Sequence, residues 1–198
     1  MRATLETADG RVLRIRRLPA SGNAALAASA LIQAALGIEF LLSGLNKFAD
    51  PNFLVNFGAF VRSSPATRRG VLSPFIQDLI LPHLPIVASL TKFTELGLGI
   101  VLLVGAAEIA RRRFPGHFAR QHGYEAPVAL IAAVAGLVAA GLSFSIFLLQ
   151  GGVLPTVMPG RAFTSAIPVE LLIVPLGLAV AWLEANRFAV LSRSTAPR

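Results

Sequence analysis

Apolar residues dominate four stretches of the chain, Ala24 to Gly44, Ile86 to Ile109, Ala126 to Leu149 and Ile167 to about Leu191. Each reaches the roughly 20 residues that carry a helix across about 30 Å of hydrocarbon. The pattern predicts an all-α integral membrane protein, a bundle of four transmembrane helices. The last window is broken by Pro175 and closes on AWLEANR, which places the inner end of that span near Leu183. Between the first two windows, Phe53, Leu54, Phe57, Phe60 and Val61 recur at helical spacing and give one apolar face of about two to three turns. The stretch PFIQDLILPHL follows, fenced by Pro74, Pro82 and Pro85. Both are too short to cross a bilayer and are predicted to be interfacial helices in the first outer loop. The Gly- and Pro-rich QGGVLPTVMPGRAFTSAIP reads as an irregular outer loop. Residues 1–23 form a basic arm, whose RVLRIRRL alternation suits a strand or a membrane-surface tether. Residues 24–191 form the membrane domain, and 192–198 a short tail.

Composition agrees with this reading, since 55% of residues are hydrophobic and 14% charged, far from the usual quarter-charged soluble domain. The first window continues to Leu45, longer than the about 7 to 15 residues of a signal-peptide core, which argues for a retained span. The net charge of +8 does not point to nucleic acid, because the arginines flank the spans. Arg2, Arg11, Arg14, Arg16 and Arg17 precede the first, and Arg111, Arg112, Arg113 and Arg120 follow the second. The positive-inside rule then puts both termini in the cytoplasm, as expected for a multi-pass protein of the bacterial inner membrane. Arg62, Arg68 and Arg69 in the first outer loop run against that rule. The sequence has no cysteine, which removes disulfides and thiolate-bound metals and clusters. His83, His117 and His122 all fall in predicted loops and suggest no metal site.

The charges inside the spans stand out. Glu39, Ser43, Asn46 and Lys47 share one flank of the first helix, and Thr91, Lys92 and Glu95 one flank of the second. At a rise of about 1.5 Å per residue Glu39, Lys92 and Glu95 reach similar depths, roughly 9 to 13 Å below the outer edge. Glu170 starts the fourth span, and Ser143, Ser145 and Gln150 lie in the outer third of the third, whose half from Ala126 to Ala140 is apolar throughout. Polar groups are therefore expected in the outer half of all four helices. Because an isolated ion in hydrocarbon costs several kcal/mol, Glu39, Lys92 and Glu95 are predicted to converge in one cavity, with Lys92 or Lys47 pairing a carboxylate. The competing reading makes Lys47 a snorkelling lysine and the pairs structural glue. Gly97, Gly99, Gly136 and Gly141 are expected to permit close helix approach.

Two stretches, SGLNKFADPNFLVNFGAF and FTELGLGIVLLVGA, resemble the DoxX/DoxD family of four-helix bacterial membrane proteins. Gly44 and Lys47 match its G-x-x-K pattern at the end of the first helix, and Glu95, Gly97, Gly99 and Gly105 its second helix; GGVLPT and IPVELLIVPL resemble the DoxD branch. The resemblance implies a membrane subunit of a quinone-linked oxidoreductase, such as thiosulfate:quinone oxidoreductase, working with other subunits of a complex. On that reading Glu39 and Glu95 carry protons, while Lys47, Lys92, Asn46, Ser43 and Glu170 hold a quinone head group or a small anion. No cofactor is covalently bound, quinone is a possible ligand, and electrons arrive from a partner. The alternative, of a different class, is a non-catalytic membrane scaffold that anchors or assembles an extracytoplasmic partner. Four spans without inverted repeats make a transporter less favoured.

Overall fold

A computed structural model describes residues 20–69, 71–111, 123–152 and 167–194, with side chains from Ala24 onward, and the backbone of Leu5–Glu6 and Val12–Leu13. His117, His122, Arg112, Arg113, Arg120 and the PTVMPGRAF loop lie outside the described residues. In the N-terminal arm Leu5–Glu6 and Val12–Leu13 pair as a two-residue antiparallel ladder.

The described residues form an all-α bundle whose order is α1 (Ala20–Ala49), α2 (Phe53–Ser63), α3 (Pro65–Arg68), α4 (Ser73–Phe75), a π-helical turn (Ile76–Ile80), α5 (Leu84–Arg111), α6 (Glu125–Leu149) and α7 (Val169–Ser194). Helices α1, α5, α6 and α7 are long and apolar enough to cross a membrane. The outward surface carries large apolar side chains, including Leu31, Leu90, Phe93, Ile131 and Trp182, a pattern that suits lipid rather than water. The chain is therefore read as a multi-pass membrane protein.

Helix α1 packs chiefly on α5, and α6 on α7. Small residues set these pairings. A Cβ at Gly99 would sit 2.5 Å from the Leu41 backbone nitrogen, and one at Gly44 2.8 Å from that of Leu96. Gly136 and Gly177 face each other, each with no room for a Cβ beside the other's carbonyl. Without a hydrophobic drive between helices in lipid, such close backbone approach supplies the packing energy. The expectation of close approach fits Gly99 and Gly136; at Gly97 and Gly141 no other atom lies within 4 Å of where a Cβ would stand. Between the two pairs runs an apolar belt of Leu36, Phe40, Leu98, Leu102, Ala135, Ala139, Ile173 and Val180.

The connection from α1 to α5 is compact. Asp50 accepts bonds from the Asn52 backbone N–H at 2.8 Å and the Asn56 amide at 2.9 Å, which turns the chain at Pro51 into α2. Ser64 caps α3, accepting from the Ala66 N–H at 3.2 Å, and donates to the Leu149 carbonyl at the end of α6. The α6 terminus closes on Gly151 and Gly152, both at positive φ, with the Gly152 N–H bonded to the Phe147 carbonyl at 3.0 Å. Helix α2 thereby folds back against α5, burying Gly58 and Val61.

Helix α7 runs past Leu183 to Ser194 through LEANR, with Glu184 and Arg187 buried. One sequence expectation is corrected: polar groups do not keep to one half of the bundle. At the end carrying Arg111, opposite α2, a buried network joins all four long helices. Glu184 accepts from Ser29 at 2.6 Å and Gln33 at 3.1 Å on α1, and from Arg187 at 2.9 Å. Arg187 also bonds Glu108 on α5, while Arg111 joins Glu108 at 3.1 Å to Glu125 on α6 at 2.6 Å. These ions persist in an apolar setting because each faces an opposite charge and further hydrogen bonds.

Candidate functional site

At the α2 end a cavity of about 630 Å³ opens between the helix pairs. Phe53, Phe57 and Phe60 of α2, with Phe75 and Ile76, line it on the α2 side, and Phe40 and Ile173 line it from the apolar belt. Its ionisable lining groups are Glu39, Lys47, Glu95 and Glu170, and Ser43, Thr91, Ser143 and Ser145 add hydroxyls.

Glu95 anchors the polar side. It is 2% exposed, and its Oε2 accepts from Lys47 Nζ at 2.5 Å and from Ser43 Oγ at 2.9 Å; Lys47 also donates to Ser43 at 2.8 Å. Lys47 and Ser43 reach this carboxylate because they lie one turn apart on α1 and because Gly44, between them, lets α1 touch the backbone of α5. The G-x-x-K spacing thus has a physical reason: the glycine brings the helices together, and the lysine one turn later neutralises the facing carboxylate.

Glu39 is different. It lines the same cavity roughly 15 Å along α1 from Ala49, yet it has no hydrogen-bond or ion-pair partner among the described residues and stays exposed. Glu170, at the start of α7, accepts from the Gln150 amide at 2.8 Å.

Lys92 does not join them. Its ammonium lies 4.8 Å from the Phe48 ring centroid and 5.7 Å from that of Phe53, outside the set of cavity-lining residues. The expected convergence of Glu39, Lys92 and Glu95 is corrected accordingly: Glu39 and Glu95 share the cavity, and Lys47 supplies the cation. Although Lys92 and Glu95 share a flank of α5, the long Lys92 side chain carries its ammonium to the Phe48 and Phe53 rings at the α1–α2 corner. Asn46 is exposed and also lies outside the cavity lining. Of the residues singled out in the sequence, the cavity brings together Glu39, Ser43, Lys47, Glu95 and Glu170.

No family model, curated protein or solved structure matches the chain. What the site can do is therefore argued from its own geometry.

That geometry combines a wide apolar and aromatic wall with a few convergent polar groups, the usual make-up of a site for a lipid-soluble small molecule. The Lys47–Glu95 pair offers a fixed dipole, and Glu39 a carboxyl able to accept a cation or exchange a proton. An inorganic anion finds little here. Three carboxylates face one ammonium, and that ammonium is already held by Glu95.

The buried network at the Arg111 end was missed by sequence reasoning. Its signal was present: Ser29 and Gln33 are four apart, and Glu108 with Arg111 and Glu184 with Arg187 are opposite charges three apart. Such pairs stack on one helix face.

Proposed function

We propose that this chain is the membrane subunit of a quinone-linked oxidoreductase, and that the α2-end cavity receives the quinone head group. The observation that carries the reading is the cavity itself. Its aromatic wall suits a flat ring, and the Lys47–Glu95–Ser43 cluster with the unpaired Glu39 offers hydrogen bonds to carbonyl oxygens at the edge of that ring. The short resemblance of SGLNKF and FTELGLG to the DoxX/DoxD pattern points the same way. Of the two ligands that the resemblance implies, a neutral quinone fits the charge balance better than a small anion.

Quinone reduction takes two electrons and two protons. Glu39 is the group placed to pass protons, because Glu95 is fixed by its two donors. With no cysteine in the chain to hold an iron–sulfur cluster or a thioether-linked haem, the electrons would come from a redox partner subunit. With the arginines of the N-terminal arm and of the α5–α6 connection facing the cytoplasm, the cavity opens toward the outer side of a bacterial inner membrane.

Gentle detergent extraction followed by mass spectrometry tests the proposal. Co-purification of a stoichiometric quinone together with a redox-active subunit supports it. A complex containing only a redox-inactive envelope protein, with no quinone, replaces it by the scaffold reading.

A further inference from the structure

Glu39 poses a problem that quinone binding does not resolve. A carboxylate roughly 15 Å along a membrane helix is costly when unpaired, and no cation among the described residues reaches it. Lys47 is bound to Glu95 and Ser43, and Lys92 rests against Phe48 and Phe53 outside the cavity lining. The remaining charged groups of the cavity, Glu95 and Glu170, are both acidic. The same lining holds the rings of Phe40, Phe57, Phe60 and Phe75, together with that of Phe53, which Lys92 meets from outside the lining. Aromatic faces attract cations through their ring quadrupoles, best where water is excluded. The protein itself uses this chemistry one helix turn away, where Lys92 takes the Phe48 and Phe53 rings as partners.

We propose that the α2-end cavity is a binding site for lipophilic cations, bulky aromatic or alkyl ammonium and phosphonium compounds, with Glu39 as their counter-ion. The charge would lie between the Glu39 carboxylate and the phenylalanine wall, and the apolar substituents would fill the rest of the about 630 Å³. Glu39 sets the sign of the ligand, and the aromatic wall sets its size and greasiness. The proposal concerns this cavity alone and stands or falls independently of quinone binding and of any partner subunit.

Two probes of the same shape and opposite charge test it, tetraphenylphosphonium and tetraphenylborate. After subtraction of uptake by empty nanodiscs, which take up the borate more strongly because of the interfacial dipole potential, equilibrium dialysis against the purified full-length chain in nanodiscs of neutral lipid is expected to show saturable phosphonium binding and protein-dependent borate binding weaker by about tenfold or more. Glu39→Gln should abolish the preference and Glu39→Asp keep part of it. Because Glu39 has no partner among the described residues, the glutamine variant is expected to melt no lower than the native chain. Asp78→Asn, at an exposed carboxylate outside the cavity lining, should leave the phosphonium preference within about twofold of native. Equal binding of the two probes, or phosphonium binding by Glu39→Gln as tight as that of the native chain, would overturn the proposal. Displacement of bound phosphonium by a short-chain quinone would place both ligands in one cavity; failure of displacement would count against quinone there while leaving the cation site intact.

Discussion

Replacing Lys47 by Met removes the ammonium that lies 2.5 Å from Glu95. The carboxylate left behind is 2% exposed and keeps only the Ser43 hydroxyl at 2.9 Å. Breaking a buried pair from one side costs about 3 to 5 kcal/mol. The Lys47 side chain retains 24% of its exposure, so the native pair is partly solvated and the loss should fall at the lower end, about 3 kcal/mol. Glu95→Gln is milder, about 1 kcal/mol, because the freed lysine can extend its ammonium toward the α2-end surface. The double variant replaces the ion pair by a neutral pair of similar volume and should cost about 1 kcal/mol or less. The coupling energy between the sites is then about 3 kcal/mol, at the top of the range for residues in contact. Reversible unfolding in mixed micelles of mild detergent and dodecyl sulfate, followed by far-ultraviolet circular dichroism, reads these differences. Lys92→Met serves as the control, with a loss of about 1 kcal/mol or less from its ring contacts. Additive costs in the double variant, or a larger loss at Lys92 than at Lys47, would refute the assignment of the pair.

Gly99→Val should separate α1 from α5 and cost several kcal/mol or prevent folding, since its Cβ would meet the Leu41 backbone at 2.5 Å; Gly97→Ala, where the space is open, should change stability by less than about 1 kcal/mol, both measured by the same unfolding assay. Arg187→Met leaves the buried Glu184 and Glu108 carboxylates without the guanidinium that joins them and should lower stability by about 3 to 5 kcal/mol, whereas conservative Arg187→Lys should recover part of the loss. Single cysteines at Arg69 and Arg193, introduced into a chain with no native cysteine, should react with an impermeant maleimide from opposite sides of intact cells, Arg69 from outside; labelling of Arg193 from outside would reverse the orientation.

The four spans were legible because twenty or more apolar residues have few other destinations, and the structure places the helices close to those windows. The Phe53–Ser63 helix was legible for a similar reason, a clean helical period after an Asp-Pro turn. Depth along each helix was also readable, which is why Glu39 and Glu95 fall in one cavity. Rotation was harder to read. Whether Lys47 or Lys92 met Glu95 depended on which face of α5 met α1, and that is set by Gly44 and Gly99 against Leu96 and Leu41, contacts no single-helix period can show. The Arg111-end network was overlooked because LEANR and the residues around Arg111 read as polar helix ends at the water interface. In the folded protein four such ends converge, and the charges satisfy one another away from solvent.

The central claim, that the cavity walled by α2 and bounded by Lys47–Glu95 and Glu39 holds a quinone ring, is tested most directly by photolabelling with an azido-quinone in native membranes, followed by peptide mapping. The account predicts crosslinks confined to cavity-lining segments, at Phe53 to Val61 of α2 and around Ser143 to Leu149 of α6, suppressed by excess unlabelled quinone and weakened by Glu39→Gln. Labelling spread over the lipid-facing surfaces of α5 and α7, at Phe93 and Trp182, and unaffected by excess quinone, would contradict it.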